Sequence, residues 1–245
     1  RLLAIGPEAT ARGAGGREVP LTGRALERVL DRAFRLKDGR LRAAASRFVP
    51  GQPLGPAPLV GVRGDDPNDV IPHEDRRERR AGRRVAAWIN HFVVREQNSR
   101  DAWVRQGGRR FVRHYQMDFG DALGTPWTNL LKDVRAGRSH YLDLEHVLVD
   151  MVTLGAVPRP WHHAPRSRYF DTFGFFHWRG FVPSRWRAIY PNPAFERMTA
   201  ADALWMVRII VRFTDAHIRA VVRRGRMTSP GAERFLVRTL IRRDF

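Results

Sequence analysis

The chain contains no cysteine, which excludes disulfides, thiolate metal sites and cysteine nucleophiles and leaves the redox compartment open. Lysine is almost as scarce. Of 44 Lys and Arg residues only Lys37 and Lys132 are lysine, and the other 42 are arginine. No apolar run approaches the roughly 18 residues of a membrane span, so no transmembrane segment is expected. Neither end reads as a signal peptide, in a sequence that opens at Arg1 without a Met and so leaves export and localisation undetermined. No internal repeat and no finger, basic zipper, helix-turn-helix or aromatic RNA-binding motif is found.

What is present is a 245-residue chain, 43% hydrophobic and 10% aromatic, enough for a real core in one domain or one two-lobed unit. The formal charge is +19. Such an excess favours an acidic protein partner or assembly, with anionic lipid or nucleic acid as further polyanions, although solvated helix faces also absorb many arginines. The choice of arginine matters chemically, because its planar fork pairs bidentately and stacks on aromatic rings.

Periodicity and punctuation outline the elements. Arg24 to Phe34 is amphipathic at helical spacing, Lys37-Asp38-Gly39 is a turn, and Leu41 to Val49 alternates as a strand. The Pro- and Gly-rich passage Pro50 to Gly64 is the candidate boundary, dividing residues 1–60 from 61–245. Asp65, Asp66 and Asp69 lie in a turn-rich stretch that reads as solvated, since a calcium loop would need more ligands and a bidentate Glu. Pro72 to Ile89 reads as one long helix with acids in its first turn, including Asp75–Arg79 and Glu74–Arg77 ion pairs. Gln106-Gly107-Gly108 between Trp103-Val104 and Phe111-Val112 signals a hairpin. Residues 125–193 form an aromatic, irregular insertion with a helix near Leu142 to Leu154. Thr199 and Asp202 suggest a capping box before an apolar run, Ala203 to Phe213, expected to be buried. Thr214 and Ser229-Pro230 open two more helices. The layout is α+β, with a small mixed part followed by a mainly helical part.

The segment with chemical content runs His91-Phe92-Val93-Val94-Arg95-Glu96-Gln97-Asn98, then the hairpin, then Asp118-Phe119-Gly120. Protein kinases space a His, a base Asp, a metal-binding Asn, a hairpin and Asp-Phe-Gly in this way, so that the Asn amide and the Asp carboxylate converge on one Mg²⁺. Here the base position holds Val93, which has no lone pair to accept a proton. Other candidates are weaker: His162-His163 lacks a carboxylate at ligand spacing, His73-Glu74 lacks a second His, and Ser139, His140 and Asp143 are too close in sequence for a triad. The arginine row 76, 77, 79, 80, 83 and 84 wraps too far round its helix to be one stripe. The aromatics between Trp161 and Trp186 read as packing within the insertion.

The strings from Phe48 to Pro56, Asp66 to Asp69, Pro72 to Glu78, Ala86 to His91, Val112 to Gly120 and Tyr190 to Phe195 resemble a largely uncharacterised bacterial family related to the atypical kinase-fold proteins of the HipA and CotH kind. The resemblance spans about Leu36 to the end. It implies a protein-kinase-like fold: a mainly helical C-lobe over residues 61–245 and a partial N-lobe remnant with hinge over residues 1–60. It also implies Mg and ATP as cofactors, with His91, Asn98 and Asp118 at the nucleotide and Asn98 and Asp118 on the metal. Members of that family usually carry Asp where this chain has Val93. The family also implies a phosphate-clamping lysine on an early strand, upstream of Arg1; Lys37 and Lys132 are misplaced for it. The expectation is a pseudokinase that binds Mg-nucleotide without efficient transfer, and the alternative is a non-catalytic accessory subunit docking through its arginine-rich and aromatic surface.

Overall fold

The computed structural model describes residues 8–12, 17–31, 33, 35–41, 48–124, 134–159 and 161–243. The chain divides into two compact units at Val49/Pro50. The division falls earlier than residue 60 because β3 (Gln52–Gly55) pairs with β4 (Ser99–Gln106), which ties the Pro-rich passage to the second unit.

In the first unit β1 (Thr10–Arg12) and β2 (Glu18–Pro20) form an antiparallel pair, followed by α1 (Gly23–Asp31). The helix is shorter than the periodicity predicts, and Phe34 lies outside the described residues. The Lys37-Asp38-Gly39 turn forms, with Gly39 at φ 81° and Arg40 donating to Asp38, and a bridge joins Arg35 to Leu41. Most of the strand expected over 41–49 lies outside the described residues.

The second unit is α+β: a three-stranded antiparallel sheet, β3-β4-β5, accompanied by helices. The β4 to β5 (Arg109–Gln116) turn is the two-residue loop Gly107-Gly108, both at positive φ, as a type I′ turn requires. At Gly51 the chain passes so close to β4 that an added Cβ would sit 2.5 Å from the Trp103 carbonyl oxygen.

The long helix expected from Pro72 is broken. A single 3₁₀ turn, His73–Asp75, is followed by an extended Arg76 (φ −78°, ψ 128°) and then by α2 (Arg77–Ile89). Arg76 is drawn out of helical geometry while its guanidinium reaches Asp69 and His114. The expected local ion pairs give way to tertiary ones. Asp75 pairs with Arg197, and Arg80 donates to Asp202, 122 residues away. The arginine row is largely spent inside the fold in this way, since Arg79 bonds Pro58 O, and Arg83 bonds Phe195 O and Trp186 O.

Two apolar clusters build the core. One surrounds Phe92, Val93 and Val94 with Ala86, Ala87, Trp186, Ile189 and Phe195. The other joins Phe173 and Phe176 of the insertion to α5 (Asp215–Arg224) and α6 (Pro230–Arg242). The insertion aromatics are thus structural. Residues 144–153 form the expected helix, α3 (Leu144–Thr153), capped by Asp143.

The capping box at α4 (Ala200–Ile210) forms as the sequence suggests. The expectation that this helix is buried is not met: Leu204, Trp205 and Ile209 are exposed, and only Asp202, Ala203 and Ile210 are covered. Its inner stripe packs on α2, and its apolar residues outnumber those that one neighbouring helix can cover. No helix among the described residues is long and apolar enough to cross a membrane.

Candidate functional site

The site begins where α2 ends. Asn90 takes the left-handed conformation (φ 54°) that closes a helix, its N–H bonding back to Ala86 and Ala87 carbonyls, and its Oδ1 accepts from Trp186 Nε1 at 3.0 Å. The following residues run extended through the core, held by Ile189 N donating to Phe92 O at 2.8 Å. Three consecutive apolar residues, Phe92, Val93 and Val94, are all buried, so this is a core-spanning segment. A 3₁₀ turn, Glu96–Asn98, then delivers the chain into β4.

The hairpin returns the chain to Asn98. Its register pairs Ser99 with Gln116, and one step further Met117 N donates to Asn98 O at 2.8 Å. Asp118 follows at φ 55°, with its side chain exposed. Asn98 is buried, and its Nδ2 donates to Val93 O at 2.8 Å. His91 stacks on Phe119, with ring centroids 4.8 Å apart. Burial pushes the His91 imidazole below its ordinary pKa, and the Asp118 carboxylate nearby opposes this.

His91, Asn98 and Asp118 therefore lie around one end of the hairpin. Val93 belongs to the same loop, but its side chain is 5% exposed and packs in the first core cluster. An amide oxygen and a carboxylate are hard donors of the kind Mg²⁺ prefers. Among the described residues no group of three or more His, Asp or Glu side chains gathers as a metal cluster. Lys37 belongs to the first unit and Lys132 lies outside the described residues.

The remaining sequence candidates resolve into structure. Ser139 accepts from Arg135 Nε and His140 Nδ1 bonds Ala188 O, so they form no triad. His162 Nδ1 accepts from Arg159 N, while His163 is exposed.

One constellation escaped the sequence reading. The Asp-rich turn is not simply solvated: Asp69 is buried and receives Arg63 N, His73 Nε2 and Arg76. The fully buried His73 places its other nitrogen 2.6 Å from Pro58 O. Across the hairpin His114 receives Arg76 on Nε2 and donates from Nδ1 to Asp101, which also holds Arg63 Nη1 at 3.0 Å. Burial alone would raise the Asp101 carboxyl, but the bonds from His114 and Arg63 outweigh it and hold it below the ordinary carboxylate value. The 101/114 pairing follows from the two-residue turn, a signal present in the sequence, whereas Asp69 and His73 meet across a non-helical segment.

No family model matches this chain, and neither the curated proteins nor the solved structures yield a match.

Proposed function

We propose that this chain is a degenerate kinase-like protein, a pseudokinase whose second unit corresponds to a C-lobe, binding Mg-ATP without efficient phosphoryl transfer. The observation that carries this reading is the closure of the hairpin on Asn98, whose backbone O accepts from the N–H of Met117, the residue before Asp118. The stacking of His91 on Phe119 supports it, because it anchors the Asp-Phe-Gly turn to the loop that carries Asn98.

When bound, Mg²⁺ would neutralise phosphate charge. The chain's own part is to orient that ion with Asn98 Oδ1 and Asp118. Transfer fails on this account for a geometric reason. The base position is filled by a valine whose side chain is turned into the core, so no group there takes the proton of an attacking hydroxyl. Calorimetric titration of the chain with Mg-ATP tests the reading. Saturable heat that Asp118→Ala removes supports it, and absence of heat, or heat that Asp118→Ala leaves intact, overturns it.

A second reading has its own observation. Leu148, Met151 and Val152 on α3, and Leu204, Trp205 and Ile209 on α4, are exposed. Apolar surface of this kind marks protein contacts, which suits an accessory subunit in a larger assembly. The two readings are compatible, since a kinase fold without transfer is a scaffold.

A further inference from the structure

The second unit contains a cavity of about 600 Å³ whose wall carries six arginines: Arg138, Arg159, Arg179, Arg185, Arg187 and Arg243. His146, His163 and His177 join them, and Asp143 and Glu145 are the acids among the described lining residues. Asp143 caps α3 and faces His146, and Arg159 is paired with Asp150, so three acids, Asp143, Glu145 and Asp150, stand against six arginines and the balance is positive.

Two of these arginines, Arg138 and Arg243, bond no carboxylate among the described residues. Arg243, 5% exposed, donates from Nε, Nη1 and Nη2 to the carbonyls of Trp88, His177 and Ala87. Arg138 likewise spends its donors on the Val134, Ala136 and Phe175 carbonyls. Carbonyl oxygens satisfy the hydrogen bonds of a guanidinium without cancelling its charge, and a buried uncompensated charge is costly. Burial, and then the charge of Arg138, pushes Arg243 well below the ordinary arginine value, and burial, Arg179 and Arg243 together push His177 down. Burial brings Arg138 to about 10.

Nearer the mouth, Arg179 and Arg185 are exposed and Arg187 is half-buried. Arg187 makes only long contacts, at 3.4 Å, to Ser184 O and Trp186 O. The side chain of Arg185 has no partner among the described residues. These forks are available to a ligand, while Arg138 and Arg243 supply field from behind.

We propose that this cavity binds a small, soluble oligophosphate anion. Several planar guanidinium forks around one hollow suit the oxygens of linked phosphates, which accept them bidentately. The volume exceeds what one phosphate fills and is too confined for a nucleic-acid duplex. The site shares no residue with the Asn98–Asp118 constellation and does not depend on that reading.

The test is calorimetric titration of the full chain with inorganic tripolyphosphate at low salt and without divalent cation. Saturable binding is expected, and Arg185→Ala with Arg187→Ala should weaken it about tenfold or more. Arg179→Glu, at the exposed mouth, is a second variant that leaves the core untouched. Arg223→Ala with Arg224→Ala removes equal charge from α5 and should change affinity less than about twofold, as should Asp118→Ala. Absence of binding overturns the proposal. So does equal weakening by the α5 pair, which would mean diffuse attraction, or loss confined to Asp118→Ala, which would assign the anion to the other site.

Discussion

Asp101 and His114 stand directly opposite each other on β4 and β5, and His114 Nδ1 donates to an Asp101 carboxylate that is 0% exposed. The same carboxylate holds Arg63, and the same imidazole receives Arg76, which reaches on to Asp69. One cross-strand pair thereby joins the hairpin to the Asp-rich turn and to the start of α2.

Asp101→Asn should cost about 1–2 kcal/mol in chemical denaturation, because it takes one of two carboxylates from Arg63, which keeps its bonds to Asp65, and upsets the donor pattern at His114. The pH dependence follows from the sign. A carboxyl held below its unfolded value contributes stability above about pH 4, and that contribution is lost as pH falls through the folded value. Denaturation midpoints measured downward from pH 6 should fall more steeply for the wild type than for Asp101→Asn. Parallel curves would show that the pair contributes nothing.

Val93→Asp separates two ideas about the base position. Were the side chain open to the site, an aspartate would restore a proton acceptor. Val93 instead packs with Phe92, Val94, Ala86 and Trp186, so the substitution should destabilise the chain by about 3 kcal/mol or more and produce no transfer. A thermal melt and a phosphate-transfer assay check it together. A stable, active variant would show that the loop turns Val93 outward.

Arg80 ties α2 to α4 through Asp202, and the Asp202 carboxylate also accepts from Thr199 N in the capping box. The Arg80 bond, opposed by burial, holds that carboxyl well below the usual range. Asp202→Ala should therefore cost more than Arg80→Ala, about 2–3 against 1–2 kcal/mol, since it removes the N3 half of the capping box as well as the carboxylate that Arg80 bonds. Equal losses in urea denaturation would mean that the Asp202 half of the capping box adds nothing.

Arg243→Lys should destabilise by about 2 kcal/mol although the charge is kept. One ammonium cannot reach three carbonyls fixed in the geometry of a fork, nor lie flat over the Phe181 ring 3.6 Å away. Unchanged stability would mean that only the charge matters.

Local chemistry made part of this legible. Gly107-Gly108 announces the hairpin, and Thr199, Thr214 and Ser229 each cap the helix expected after them. The spacing of His91, Asn98 and Asp118 foretold that a hairpin would return the chain to the loop. Tertiary effects were harder to see. The break at Arg76 comes from partners on the turn and on β5, and α2 has ion pairs to distant residues where local ones looked sufficient. The exposure of α4 reflects how little neighbouring structure there is to cover it. Val93 sits between two other apolar residues, so no alternation signalled which way its side chain would point.

The most direct test of the metal and nucleotide reading is electron paramagnetic resonance of Mn²⁺, standing in for Mg²⁺, titrated with the chain and ATP together. An ATP-dependent loss of free Mn²⁺ signal is expected in the wild type, weakened about tenfold or more by Asp118→Asn, whose exposed side chain can change without disturbing the core. No ATP-dependent binding in the wild type, or binding that Asp118→Asn leaves unchanged, would contradict it.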